Sequence, residues 1–83
     1  MLIREYIASA MEKARYEILE EDGSYYGEIP ECPGVLANAE SLEKCRSELE
    51  ETLEEWLLLR IHENLEIPSI DDRSIVIKKE DVA

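Results

Sequence analysis

The amino-acid sequence predicts a small α+β domain in which one long helix packs on one side of a β-sheet. Three observations support this fold class. Apolar residues recur at helical spacing in residues 2–13, and they do so again from Leu42 to about Asn64. Between these segments, an Asp-Gly turn at Asp22 separates two short runs of β-forming residues. The predicted order is a helix, three strands, a long helix and a final strand.

The charge balance limits the classes of partner. The 83 residues include 21 Asp and Glu against 9 Lys and Arg, which gives a formal net charge of −12. Because phosphate binding needs a basic surface, we expect no direct contact with nucleic acid. No apolar run approaches the roughly 20 residues of a membrane span, and the first residues lack the apolar core of a signal peptide. These features predict an acidic cytoplasmic protein that binds no membrane.

The N-terminal segment, residues 1–13, is predicted to form an amphipathic helix. Its apolar positions recur at intervals of three and four residues, and charged residues occupy much of the remaining surface. The predicted apolar face and its flanks comprise Ile3, Ile7, Ala10, Ala14, Leu2, Tyr6 and Met11.

Residues 16–19 and 25–29 are predicted to form a β-hairpin, because an Asp-Gly pair between β-forming runs favours a tight turn. Tyr25 and Tyr26 alternate across the second strand, so one is expected to face the helix and the other to face outward. A third strand is predicted at 35–39, with small side chains on one side. These small side chains predict a closely packed element on that side.

The long helix is predicted to begin at Leu42, with Ser41 as its N-cap. It is strongly acidic in its first half, outside one apolar stripe. The residues expected on or beside the buried stripe are Leu42, Cys45, Leu49, Thr52, Leu53, Trp56, Leu57, Arg60 and Ile61.

The second half of the long helix is apolar nearly all round. Trp56 is expected to cap the core, which leaves Leu58 and Leu59 as the better candidates for a subunit interface. Cover by the N-terminal helix is the other explanation for this apolar segment. We expect a homo-oligomer, either a dimer or a tetramer, formed through the apolar helix end or an exposed strand edge.

The chemically reactive residues do not assemble into a catalytic or metal-binding pattern. Cys32 and Cys45 have no nearby histidine to complete a zinc site, and we expect both thiols to be reduced. Cys45 is predicted to lie in the core, and Cys32 in a loop where the adjacent Glu31 raises the pKa of its thiol. His62 is expected to be partly exposed. The sequence therefore predicts a protein without enzymatic activity, metal or cofactor.

Glu17 and Glu28 are the best candidates for a carboxylate pair across the hairpin. A two-metal nuclease needs several such groups converging on its metal ions. Further ligands would have to come from solvent-facing glutamates of the long helix, and the acidic protein would repel a polyanionic substrate. A metal-dependent nuclease is therefore the least favoured hypothesis.

The C-terminal part is predicted to contribute a final strand at 74–77 and a polar tail at 79–83. Residues 14–78 would then form a β-β-β-α-β core, within a single domain that spans residues 1–83.

Several short motifs occur in a fixed order within residues 15–70. They are Asp22-Gly23, Tyr25 or Tyr26 followed by Gly27, Ile29-Pro30-Glu31, Pro33-Gly34-Val35 and Ser41-Leu42-Glu43. In this order and spacing they resemble the HicB-like antitoxin family, in a small form without its C-terminal DNA-binding segment. The resemblance implies a truncated ribonuclease-H-like fold that lacks the catalytic machinery of the nuclease.

The same resemblance implies a function in a type II toxin–antitoxin system. Members of the family bind and neutralise HicA, a small basic RNA-cleaving toxin, and an acidic surface is complementary to such a partner. The alternative is a solitary, homo-oligomeric HicB-like protein with a regulatory or structural role and no toxin partner. The candidate contacts with a partner or a second subunit are Tyr25, Tyr26, Glu28, Leu58 and Leu59.

Overall fold

The computed structural model describes residues 2–70, and it contains two helices and three strands in this part of the chain. Their bounds are α1 (Leu2–Glu12), β1 (Arg15–Ile18), β2 (Tyr25–Glu28), β3 (Leu36–Ala39) and α2 (Leu42–Glu63). The α+β class is confirmed. The predicted strand at 74–77 and the polar tail lie outside the described residues.

The three strands form an antiparallel sheet in the order β1-β2-β3. Gly27, in the central strand, lies opposite Tyr16 on one side and Ala37 on the other. These residues share the face that packs against α2, which we call the inner face. Neighbouring side chains along a strand point to opposite sides, so the alternate residues form an outer face.

The β1–β2 hairpin agrees with the prediction to within one residue: β1 begins and ends one position earlier than expected, and β2 ends one position earlier. In its turn, Asp22 Oδ1 accepts hydrogen bonds from the Ser24 backbone N–H at 3.0 Å and from Ser24 Oγ at 2.7 Å. Gly23 adopts a φ of 71°, a conformation that glycine adopts without steric cost. The Leu19 N–H donates to the Ser24 carbonyl at 2.8 Å and closes the loop.

Helix α2 has the predicted start and end. Ser41 Oγ accepts a hydrogen bond from the Lys44 backbone N–H at 3.1 Å, and Asn64 ends the helix in a left-handed conformation with φ of 59°. The fully buried stripe consists of Cys45, Leu49, Leu53 and Leu57. Leu42 was expected on the stripe but is 47% exposed, so burial begins one turn after the helix start.

The buried face of helix α1 is rotated about the helix axis relative to the predicted apolar face. Tyr6 and Ala10 are fully buried, whereas Ile3 is 36% exposed and Ile7 is half-buried. The Tyr6 hydroxyl donates a hydrogen bond to the Pro68 carbonyl. Burying the large aromatic ring with its hydroxyl satisfied removes more apolar area from water than burying Ile3 would. The expectation that Ile3 lies on the buried face is therefore wrong.

Replacing Ser41 with alanine is expected to lower the free energy of unfolding by about 1 kcal/mol, since the Lys44 N–H loses its capping acceptor. Urea unfolding followed by circular dichroism measures this change. Ser47→Ala is the matched control, because Ser47 is exposed within the helix and alanine favours helix there. A loss for Ser41→Ala no larger than that for Ser47→Ala would contradict the capping assignment.

Candidate protein-interaction surface

The outer face of the sheet is a largely polar surface. It consists of Arg15, Glu17, Tyr26, Glu28, Leu36 and Asn38. Helix α2 packs against the opposite side of the sheet, so neither α1 nor α2 covers these side chains. A sheet face that carries an aromatic ring beside carboxylates is suited to contact a polar partner.

Tyr26 lies at the centre of this face, in the central strand. Its hydroxyl donates a hydrogen bond to Glu28 Oε1 at 3.2 Å, and Glu17 is its direct neighbour on β1. Partial desolvation, the hydrogen bond to Glu28 and the charges of Glu28 and Glu17 together raise the pKa of Tyr26 above its ordinary value. The phenol therefore remains neutral at physiological pH, while the two carboxylates supply negative charge.

A shallow depression of about 240 Å³ lies beside this ring, lined by Arg15, Tyr16, Glu17, Tyr26 and Glu28. Arg15 lies directly opposite Glu28 in the register. Its guanidinium offsets part of the negative charge at one end of the depression. The other end, toward Glu17, remains acidic and open.

The three predicted contact residues of β2 lie on two different sides of the sheet. Tyr26 and Glu28 lie together on the outer face, as expected for alternate positions of one strand. Tyr25 lies on the inner face, opposite Ala39, and packs against the core. Tyr25 is therefore the tyrosine that faces the helix, and Tyr26 is the one available to a partner.

Leu58 and Leu59 are both exposed, at 66% and 56%, but they do not form one patch. Successive residues of a helix point about 100° apart. Leu58 lies beside Ile3, Ile7 and Ile61, on the side of α2 that meets α1. Leu59 lies one turn after Glu55, on another side of the helix. The two leucines thus belong to separate surfaces.

Trp56 is half-buried against the core, in agreement with the prediction that it caps the core. The Arg60 guanidinium stacks over its ring at 4.5 Å from the centroid and donates to the Glu66 carbonyl at 2.7 Å. This contact orders the segment after the helix end. Trp56 therefore packs against the core and against Arg60 of its own chain.

Cys32 lies in a loop, as predicted, and its side chain is fully buried beside Tyr6. Burial is the largest cause of the raised pKa of its thiol, with the charge of Glu31 a smaller one. The tight turn that follows Ile29 explains the burial, because the Val35 N–H donates to the Cys32 carbonyl at 3.0 Å and draws the loop inward. Cys45 lies in the core as predicted, and both thiols are free.

Alkaline pH is expected to destabilise the protein. Burial raises the pKa values of the Cys32 and Cys45 thiols and of the Tyr6 hydroxyl, so the folded state holds these protons more tightly. The resulting stability is fully present below the ordinary thiol pKa of about 8.5. Above it, the unfolding free energy falls by about 1.4 kcal/mol per pH unit for each group ionised only in the unfolded chain.

Urea unfolding at a series of pH values from neutral to alkaline measures this dependence. Cys32→Ala is the control variant. Its unfolding free energy should fall less steeply with pH than that of the wild type, although it starts from a lower value. Equal slopes for the two proteins would contradict the role of the Cys32 thiol.

Glu17 and Glu28 lie on the same outer face but are diagonal to one another, because Glu17 pairs with Tyr26 and Arg15 pairs with Glu28. Within residues 2–70, no group of three His, Cys, Asp or Glu side chains is placed to hold a metal ion. His62 is exposed near the end of α2, as expected. No helix in the described part of the chain is long and apolar enough to cross a membrane.

Comparison with known proteins places this arrangement in a family. A family model described as UPF0150-like matches residues 5–68. The crystal structure of TTHA0281 from Thermus thermophilus is similar, with a TM-score of 0.87 and 36% sequence identity over 95% of this chain and 98% of that one. No curated protein matches the sequence. The family match and the similar structure both extend over most of the chain, and this protein belongs to the UPF0150-like family.

Proposed function

We propose that this protein is an antitoxin-like interaction module that binds and neutralises a small basic RNA-cleaving toxin of the HicA type. The observation that carries the proposal is the outer face of the sheet, where Tyr26 lies beside Glu17 and Glu28 in a protein with a net charge of −12. The resemblance of residues 15–70 to HicB-like antitoxins supplies the class of partner.

The chemistry of the outer face is suited to a cationic side chain. An arginine or lysine of the partner can lie over the ring of Tyr26 while a carboxylate pairs with its charge. The negative charge of the whole chain raises the rate of encounter with a basic protein. A toxin that cleaves RNA must present cationic groups to phosphates, so covering those groups blocks access of its substrate.

In this proposal the chain performs no chemical step. Inhibition follows from occupation of the RNA-binding surface of the toxin, without metal or cofactor, and the complex is cytoplasmic. We also propose that the sheet and α2 belong to a truncated ribonuclease-H-like fold. The resemblance of residues 15–70 to the HicB-like family supports this arrangement.

Variants of the outer face test the proposal. Tyr26→Ala is expected to weaken binding of a purified HicA-type toxin from the same organism by tenfold or more, a loss of about 1.4 kcal/mol. Glu28→Lys should weaken toxin binding further, because the new lysine would repel the cationic side chains of the toxin. Binding is measured by calorimetry, and neutralisation by the cleavage of a labelled RNA.

Glu55→Lys is the matched control for Glu28→Lys. It makes the same change in net charge on the exposed surface of α2, away from the outer face. If the two charge reversals weaken binding equally, only the overall charge matters and the outer face is not the contact surface. If neither variant nor Tyr26→Ala changes toxin binding, the proposed role of this face is wrong.

A further inference from the structure

Tyr26 has a polar neighbour on each side in the outer face of the sheet. Glu17 lies directly opposite it on β1, and Asn38 lies directly opposite it on β3. Side chains that face each other across an antiparallel pair have Cβ atoms about 5 Å apart. A group that lies over the Tyr26 ring is therefore within reach of both Glu17 and Asn38.

The carboxylate of Glu28 already has contacts with its own chain. Its Oε1 accepts the hydrogen bond from the Tyr26 hydroxyl at 3.2 Å, and Arg15 lies directly opposite it on β1. The positive charge of Arg15 offsets the charge of Glu28, and the hydrogen bond holds the Tyr26 ring toward this end of the strand. Glu28 therefore positions the ring and offers less net charge to a partner.

The carboxylate of Glu17 has no such contacts. Glu17 is exposed, and within residues 2–70 no hydrogen bond or ion pair joins its side chain to another residue. It lines the same depression of about 240 Å³ as the Tyr26 ring. The carboxylate beside the ring that is available to a cation is therefore that of Glu17.

On the other side of Tyr26, the amide of Asn38 has a fixed orientation. Its Nδ2 donates to the Ser24 Oγ at 2.9 Å and to the Tyr25 carbonyl at 2.7 Å. A carbonyl oxygen only accepts hydrogen bonds, so the amide atom beside it must be the nitrogen. The Oδ1 of Asn38 receives no hydrogen bond from the described part of the chain and is available as an acceptor.

An arginine side chain matches these acceptors better than a lysine does. A guanidinium is planar, stacks on an aromatic face, and carries five N–H donors that point in several directions within its plane. A lysine ammonium is a compact charge with three donors and no planar face. A guanidinium over the ring can therefore donate to a carboxylate on one side and to an amide oxygen on the other.

We infer that the outer face binds one arginine side chain of its partner, with the guanidinium over Tyr26 and with Glu17, not Glu28, as the carboxylate that pairs with it. Asn38 Oδ1 accepts a hydrogen bond from the same guanidinium. The identity of the partner rests on the proposed function, since the arginine is then one of the toxin's. The preference for an arginine side chain is a property of this chain alone.

Nuclear magnetic resonance of the full chain tests this preference without the toxin. The protein is titrated with N-acetyl-arginine amide and, separately, with N-acetyl-lysine amide at the same ionic strength. At equal concentration, the arginine compound should shift the ring signals of Tyr26 and the amide signals of Glu17 and Asn38 about threefold more than the lysine compound does.

Two substitutions that remove the same charge from the same face separate the two carboxylates. Glu17→Gln should reduce the response to the arginine compound about threefold, whereas Glu28→Gln should reduce it less. Glu55→Gln, on the exposed surface of α2, is the control for net charge and should leave the response unchanged. The spectra of the variants also report whether each one is folded.

The inference is overturned if the Tyr26 signals do not shift, if the arginine and lysine compounds act equally, or if Glu17→Gln and Glu28→Gln have equal effects. The same variants are then tested with the toxin. Toxin binding that is lost in Tyr26→Ala but unchanged in Glu17→Gln would overturn this inference and leave the proposed function standing. A preference for the arginine compound in a chain that binds no toxin would overturn the proposed function alone.

Discussion

Replacing Leu53 with alanine is expected to lower the free energy of unfolding by about 2–5 kcal/mol. Leu53 is fully buried in the middle of the α2 stripe, where it packs between the helix and the sheet. The substitution removes apolar contacts and leaves a cavity that the surrounding side chains fill only partly. A domain of this size has few kcal/mol of stability to lose, so a substantial unfolded fraction should be present at room temperature.

Leu59→Ala is the matched control for Leu53→Ala. It makes the same change of side chain in the same helix, at a position that is 56% exposed. Its effect should be within about 0.5 kcal/mol, as is usual for surface substitutions. Chemical denaturation of both variants measures the difference. Similar losses for the two leucines would show that the α2 stripe does not form the core.

Adding a methyl group at Gly27 is expected to lower the unfolding free energy by about 1–3 kcal/mol. A Cβ at this position would lie 2.9 Å from two ring carbons of Tyr16 and 3.1 Å from the Cys45 sulfur. Tyr16 lies directly opposite Gly27 in the register, and Cys45 is fully buried on α2, so at least one of these side chains would have to shift. Alanine loses less backbone entropy than glycine in a strand, but by only about 0.5–1 kcal/mol.

A double-mutant cycle isolates the contact at Gly27. In a Tyr16→Ala background the ring is absent, and Gly27→Ala should then cost less than about 1 kcal/mol. Thermal or urea unfolding of the four proteins measures the coupling between the two positions. Additive effects would mean that the close approach of Tyr16 to Gly27 does not constrain this residue.

Much of the fold follows from local features of the sequence. The Asp22-Gly23 turn, the Ser41 cap and the stripe from Cys45 to Leu57 each have a physical cause within a few residues, and the corresponding elements are confirmed. The rotation of α1 could not be predicted in this way. It depends on the contact between Tyr6 and Pro68, which are far apart in the sequence.

The candidate surfaces were only partly predictable for the same reason. The alternation of Tyr25 and Tyr26 is a local property, but which of them faces outward depends on the side of the sheet that α2 covers. The burial of Cys32 depends on a turn whose inward path brings the thiol beside Tyr6. The separation of Leu58 from Leu59 becomes meaningful only because α1 packs on one side of α2.

The outer face of the sheet combines Tyr26 with carboxylates. Contacts between opposite charges weaken as salt rises, whereas apolar contacts do not. Binding of a basic toxin to this face should therefore weaken as salt rises.

Isolation of the tagged protein from its native host at low and high salt tests the central claim most directly. The proposal predicts a small basic protein bound at low salt and released as salt rises, whose RNA-cleaving activity returns when it is separated from this chain. Loss of that partner from the Tyr26→Ala variant, but not from Leu59→Lys, would assign it to the outer face. A homo-oligomer that carries no such protein under either condition would contradict the antitoxin function.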